Sequence, residues 1–544
     1  MQRAIGDVTG QDFRSAELTS LPVTLALLVL VFGALIAAGI PLLLAGTAVA
    51  SAISLLAIPG RWLPIGSTTS SIVLLVGMAV GIDYSLFYLR RVREERTAGR
   101  DAREALAIAA RTSGRAIVVS GLTVMISLAG LFLTGFSTFT GVAIGTMVVV
   151  GVAVLGSLTF LPGLLSLLGP ATDKFRVPFL GRRQAAAGES RLWRAVVTRV
   201  ARRPLAWGGV TLIALLALAS PLRTLHLQDP GVHDLPASVP VIATMLAIDQ
   251  AFPGGPAPSQ VVVTGSGVDG PQVAKAITAL HGEVAATHGA IREPITAAAY
   301  GPAGPGQVLV ISVPLAGDGT NGTSFAALDT LRSRVLPATL GTAPGITYAV
   351  GGLTASTHDV DAQLGRTAPL VFAFVLGLAL VLLGWTFRSL WIPVLSIGLN
   401  LVSVGAAYGL MTWIFQGGHL SGALGFTPYG GITPWMPLFM FVLLFGLSMD
   451  YHVFILSRIR EWRERGASSR EAVTRGIASS AGVVTSAAAI MVAVFSIFAT
   501  LAVIEFKLIT APAPAMPGVT EDTIGYLQSP QVVAGSLRRE DIAQ

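Results

Sequence analysis

The stretch FGLSMDYHVFILSRIREW, residues 445–462, carries Asp450 and Tyr451 deep in an apolar run that ends on Arg458, Arg460, Glu461 and Trp462. A second stretch, VGIDYSLFYLRRVREE, residues 80–95, repeats the same grammar around Asp83 and Tyr84. A shift of 367 residues superposes Asp83 on Asp450, Tyr84 on Tyr451, Phe87 on Phe454, Arg91 on Arg458, Arg93 on Arg460 and Glu94 on Glu461. The match continues through Gly99 with Gly466 and Glu104 with Glu471. After a slip of two residues, Val-Val-Ser at 118–120 answers Val-Val-Thr at 483–485. One apolar helix, a basic segment and the next helix have been duplicated.

Composition sets the class. Of 544 residues, 53% are hydrophobic and 12% are charged, a balance that belongs to polytopic membrane proteins. The net charge of +7 does not indicate nucleic-acid binding, because the arginines sit between apolar spans and not on one soluble patch. There are no cysteines, which excludes disulfides, thiolate chemistry and cysteine-ligated metal. No cleavable signal peptide is evident in the mixed, polar segment 1–20.

A membrane helix needs about 20 apolar residues. Ten such spans are expected, at 21–39, 41–58, 68–89, 116–135, 141–168, 205–222, 368–387, 391–414, 434–457 and 477–504, with Gly39 and Pro41 marking a tight turn between the first two. Arginines crowd the segments 90–115, 169–204 and 458–475. All three fall on one side when the spans are threaded alternately, and the positive-inside rule makes that side cytoplasmic. Segment 1–20 and the loop 415–433 then lie outside. Both Asp-bearing helices run from outside to inside, so the halves are related by an axis along the membrane normal, a parallel repeat known from transporters.

The sizeable polar block, 224–367, is external on this threading. It reads as strand 260–264, helix 271–288, strand 292–300, strand 307–314, helix 323–336 and strand 346–350, the βαββαβ order of a ferredoxin-like unit. The expected organisation is therefore an external segment 1–20, a first transmembrane repeat 21–168 of five helices with the basic segment 90–115, and a basic linker 169–204. A helix at 205–222 opens the second repeat, followed by the external domain 224–367, four more helices in 368–504 and a polar tail 505–544.

An Asp in mid-membrane costs on the order of 2.5–3.5 kcal/mol on insertion scales and is a functional hypothesis by default. At 1.5 Å per residue, Asp83 lies roughly 10 Å from Arg90 and Asp450 roughly 12 Å from Arg458, well inside the hydrocarbon. A carboxyl group held away from water takes up a proton more readily. A Tyr hydroxyl beside it can donate to the charged form or accept from the neutral one. The competing reading is that each Asp is satisfied by a neighbouring hydroxyl and fixes helix register; the duplication of the whole Asp-Tyr-arginine pattern speaks against it. Ser120 and Thr485, repeat-equivalent hydroxyls on the following helices, are candidates to extend the relay. His452 has no repeat counterpart, since Ser85 holds that place, and reads as a polar partner. Gly77 and Gly81, four apart, and Gly446 suit close helix approach.

No ATP-binding P-loop is present, because Lys174, Lys275 and Lys507 all lack the required Gly-rich context. Neither a zinc-protease nor a serine-hydrolase motif occurs, so the reading is of a non-enzyme without cofactors, driven by an ion gradient.

The stretches at 81–95, 386–409, 445–462 and 482–495 together resemble the MMPL (mycobacterial membrane protein large) transporters of the resistance–nodulation–division superfamily. That resemblance implies proton-driven export of lipids or other hydrophobic molecules across the bacterial inner membrane, with porter-like external domains receiving the cargo. It implies that Asp83, Tyr84, Asp450 and Tyr451 form the proton relay, Asp83 bonded to Tyr451 and Asp450 to Tyr84. The family pattern has twelve spans and two external domains, so the chain reads as truncated at both ends, lacking a first span, a first external domain and a last span. The rival function is a non-transporting membrane protein, either a lipid-sensing or scaffold relative or an inactive remnant. Expected partners are the bilayer and a hydrophobic cargo, with homo-oligomerisation or accessory envelope proteins left open and no nucleic acid.

Overall fold

A bilayer core about 30 Å thick demands helices of some 20 residues, and the computed structural model of this chain supplies them repeatedly. The structure describes residues 24–63, 65, 67–173, 191–229, 258–301, 307–424 and 428–510, with isolated residues 22, 244, 247 and 251. Among the described residues, nine helical segments are long and apolar enough to cross a membrane. The segments 1–20 and 511–544, and most of the Gly/Pro-rich loops at 253–258 and 301–306, lie outside the described residues.

The first repeat comprises α1 (Leu35–Leu56), α2 (Ser67–Thr97), α3 (Ala102–Ala129), α4 (Ser137–Leu158) and the short α5 (Phe160–Leu168). The expected turn at Gly39 and Pro41 does not form: α1 runs through both. A helix over 24–32 ends instead at Gly33, whose φ of 65° terminates it. Pro41 only deletes one backbone hydrogen bond, which membrane helices tolerate, whereas the left-handed conformation at Gly33 breaks the helix path. Gly99 (φ 86°), after α2, is such a turn residue, and its repeat partner Gly466 (φ 88°) has the same conformation. Asp101 then caps α3, accepting from the Glu104 amide at 2.6 Å.

The basic linker expected at 169–204 contains a helix, α6 (Arg191–Arg202), with Leu192, Trp193, Val196, Val197 and Val200 at helical spacing among its arginines. Pro204 occupies the first position of α7 (Pro204–Ala219), where its missing N–H costs nothing.

Four strands and two helices follow: β1 (Ser259–Thr264), α8 (Pro271–Val284), β2 (Thr296–Tyr300), β3 (Val308–Val313), α9 (Gly322–Thr330) and β4 (Thr347–Gly351). The sheet is antiparallel in the order β2-β3-β1-β4, the ferredoxin-like arrangement, with Val261 opposite both Ile311 and Val350. Alternation puts Val261, Val263, Ile311 and Val313 into one core with Val273 and Leu280 of α8 and Leu328 of α9. Asn321 caps α9 through the Ser324 amide at 2.9 Å. The strand expected from 292 begins at Thr296, and Ile291 makes only an isolated bridge to Leu315. The helix expected over 323–336 changes to a π-turn at Leu331–Val335.

The chain completes itself with α10 (Leu353–Phe387), α11 (Trp391–Met411), α12 (Trp435–Glu464) and α13 (Ser469–Thr510). It divides into two compact units. One holds 226–362 and the segment 415–434; here Ile432 pairs with both His226 and Gln228 through backbone bonds of 2.8 and 3.0 Å, and Gln416 accepts from the His226 amide. The other holds the transmembrane helices. Within it α2 packs on α1, α3 and α4, while α12 packs on α3 and α11. Asn400 of α11 donates to the Phe445 carbonyl at 3.2 Å, and Tyr408 donates to that of Pro437, which ties α11 to α12. Most of the α2 span is buried within the protein, whereas none of the α7 span is. The two Asp-Tyr pairs sit on the well-covered helices α2 and α12.

Candidate functional site

Asp83 and Tyr84 on α2 face Asp450 and Tyr451 on α12. The Tyr451 hydroxyl donates to Asp83 Oδ2 at 2.7 Å, and the Tyr84 hydroxyl donates to Asp450 Oδ2 at 3.5 Å, the long limit of a hydrogen bond. Each helix therefore lends its Tyr to the other helix's Asp, the crossed pairing that the resemblance implies. Both Asp side chains and Tyr84 are buried. Ser120 of α3 donates to the Tyr84 hydroxyl at 3.4 Å, so it joins the group.

Small residues make this convergence sterically feasible. A Cβ on Gly81 would stand 2.8 Å from the Ala45 Cα, so only glycine lets α2 approach the α1 backbone beside Asp83. A Cβ on Gly121 would collide with Val154 and come within 3.5 Å of the Tyr84 hydroxyl. Next to the Asp–Tyr layer, Phe87 stacks on Phe454 with ring centroids 4.3 Å apart and meets Tyr451 edge-on at 6.2 Å. These rings form a small apolar cluster with Val483.

The second carboxylate oxygens, Asp83 Oδ1 and Asp450 Oδ1, are buried and make no hydrogen bond. A buried ionised carboxylate with half its acceptors unused is expensive, and a bound proton removes the larger part of that cost. Chemically the site can hold protons on two carboxyl groups and exchange hydrogen bonds across a helix–helix seam. Among the described residues, no group of three or more His, Cys, Asp or Glu side chains could hold a metal ion.

Thr485 departs from expectation. Its hydroxyl bonds back to the Ala481 carbonyl of its own helix at 2.8 Å and is exposed. The repeat symmetry of the sequence is thus broken in the hydroxyl layer: Ser120 joins the site and Thr485 does not. His452 is partly buried, with Nδ1 unpaired, and lends the site no hydrogen bond.

One layer went unread in the sequence. Arg91 Nη2 meets Glu461 Oε1 at 2.9 Å, and Arg458 Nη2 meets Glu94 Oε2 at 2.6 Å. The arginines are nearly enclosed, with side chains 6% and 11% exposed. This is a second crossed layer, with Arg and Glu in place of Tyr and Asp. The signal was available: in both copies the Glu follows the Asp by eleven residues, close to three helical turns, and so lies on the same face. These arginines read more simply as topology signals because charge near a span's end is common.

A family model described as the MMPL family matches residues 2–207 and 233–523. The chain is 35% identical over 516 residues to the mycolic acid-containing lipids exporter MmpL11 of Mycolicibacterium smegmatis, covering 91% of this chain and 52% of that protein. It is 30% identical over 529 residues to the trehalose monomycolate exporter MmpL3 of Mycobacterium tuberculosis, covering 91% and 55%. It spans about half the length of these curated relatives. Among solved structures it resembles SecDF, a translocon-associated membrane protein from Thermus thermophilus, at a TM-score of 0.52 and 16% identity over 93% of this chain and 60% of that one. That likeness concerns the fold.

Proposed function

This chain belongs to the MMPL family, a multi-pass bacterial membrane protein, and from that premise and the crossed Asp–Tyr contacts we propose that it couples proton movement to export of a lipid or similar hydrophobic molecule. The activities of its relatives, export of mycolic acid-containing lipids and of trehalose monomycolate, support the cargo class. The observation that carries the coupling is the reciprocal pairing of Tyr451 with Asp83 and Tyr84 with Asp450.

In this reading the basic ends of α2 and α12 face the cytoplasm of the inner membrane and the unit 226–362 faces outward. Protons arrive from the outer side. When a carboxylate is charged, the Tyr hydroxyl from the opposite helix makes a charge-assisted bond to it and draws α2 and α12 together. A proton on the carboxyl group weakens that bond, and the helix pair relaxes to a second packing. Release toward the cytoplasm restores the first. The bilayer gradient supplies the energy and the cargo undergoes no chemical conversion.

The test is transport of a fluorescent lipid by the chain in proteoliposomes under an imposed pH gradient. Asp83→Asn and Asp450→Asn, near-isosteric but unable to carry the proton, should each reduce uptake or efflux to the protein-free background with normal membrane insertion. Gradient-dependent transport in both variants would defeat the coupling.

A further inference from the structure

At the arginine-rich end of the helices, a cavity of about 180 Å³ opens between α3, α12 and the end of α10. Its walls are of two kinds. Val119, Val453 and Phe454 make an apolar wall on the side of the Asp–Tyr layer, and Phe387 lines the cavity from the end of α10. Four arginines line the remainder, Arg111 and Arg115 from α3 with Arg458 and Arg460 from α12. Two glutamates also reach it, but both are already engaged: Glu461 with Arg458, Arg91 and Arg465, and Glu464 with Arg460. Arg111 and Arg115, one turn apart and exposed, have no ion pair with any described residue. Arg115 lies five residues from Ser120, about 7.5 Å along α3 from the Asp–Tyr layer.

The internal repeat explains why the room exists. On the other half of the molecule the position equivalent to Ser457 is Arg90, whose guanidinium nitrogens lie against Gly482 of α13. Ser457 is too short to fill the corresponding space, which Arg111 and Arg115 line. A cavity that is basic on one side and apolar on the other, at the end of membrane helices, matches a phosphate group carried on hydrocarbon. Guanidinium forks bind phosphate oxygens in pairs, and the apolar wall accepts the first methylenes of an acyl chain.

We propose that this cavity binds the phosphate headgroup of an anionic phospholipid through Arg111 and Arg115, with Ser457 leaving the space for it. Only the assignment of the leaflet, the cytoplasmic one, rests on the orientation proposed above; the binding itself does not require that the chain transport anything.

The test is a lipid titration of the full chain in detergent, read by native mass spectrometry with phosphatidylglycerol, phosphatidylcholine and inorganic phosphate as separate probes. Phosphatidylglycerol should bind at one site at least about tenfold more tightly than phosphatidylcholine, the loss expected for a charge-assisted contact. Two variants should each erase that preference: Arg111→Gln with Arg115→Gln, which removes the charge, and Ser457→Trp, which fills the space and leaves every charge in place. Arg199→Gln with Arg202→Gln, on α6, should leave it intact. Retention of the preference in the double arginine variant or in Ser457→Trp would overturn the proposal, and so would its loss in the α6 control. Inorganic phosphate binding alone and displacing the lipid would assign the site to a free anion and overturn the lipid assignment.

Discussion

At the scale of single residues, the two halves of the Asp–Tyr site are unequal. Tyr451 gives its hydroxyl to Asp83 at 2.7 Å, and no other hydrogen bond reaches that carboxylate. Tyr84 is 3.5 Å from Asp450 and is itself approached by Ser120. Removing Tyr451 therefore orphans a buried carboxylate, whereas removing Ser120 takes away a buried contact but leaves Tyr84 on Asp450. Tyr451→Phe should lower gradient-driven lipid transport about a hundredfold, in keeping with the loss of a charge-assisted buried bond. Ser120→Ala should cost less than about tenfold, the worth of one neutral hydrogen bond. Thr485→Val should leave the rate within about twofold, since its hydroxyl serves only its own helix. Initial rates in proteoliposomes check all three, and equal losses at Tyr451 and Thr485 would refute the ranking. The pair Ser120 and Thr485 also shows where sequence runs out. Their repeat-equivalent positions make them look interchangeable, yet which hydroxyl reaches the site depends on the rotation of α3 and α13, and no local spacing encodes that.

At the scale of elements, α2 and α12 are joined twice, by the crossed Asp–Tyr layer and by the crossed Arg–Glu layer. The second is legible once the helical period is applied to the repeat, because Glu94 and Glu461 fall on the face of their Asp. Only the structure reveals that the partners cross between helices. Arg91 also meets Glu95 at 3.0 Å, and Glu461 keeps Arg458 and Arg465 when Arg91 is removed, so truncating Arg91 costs less than the roughly 3–5 kcal/mol of a buried charge left with no partner. Because its side chain is enclosed and holds several glutamates, Arg91→Ala should lower the thermal stability of the purified chain more than Arg93→Ala, and a cycle of Arg91→Ala with Glu461→Ala should show coupling of about 1 kcal/mol or more. Additive effects would mean the pair is not formed. The contact between α2 and α1 gives an independent check. Gly81→Ala places a methyl group against the Ala45 backbone and should destabilise by about 1–3 kcal/mol, measurable as a fall in unfolding temperature.

For the molecule as a whole, long apolar runs made most spans legible, and strand–helix alternation made the βαββαβ element order legible, while the sheet order β2-β3-β1-β4 came from the structure. The misplaced first turn has a physical source: Gly39 and Pro41 look like a break, but a proline costs a membrane helix one hydrogen bond while the left-handed Gly33 redirects the chain. The helix α6 was hidden because its arginines dominated the reading of its apolar spacing. The proposed function rests on the duplicated Asp-bearing helix, which places two buried carboxylates facing each other across one seam. The most direct measurement of that claim is proton flux, recorded with a pH-sensitive dye trapped in proteoliposomes while lipid cargo is supplied. The native chain should show cargo-dependent proton movement that is absent from both Asp83→Asn and Asp450→Asn. Cargo-dependent flux at the native rate in either variant would contradict a paired carboxylate relay.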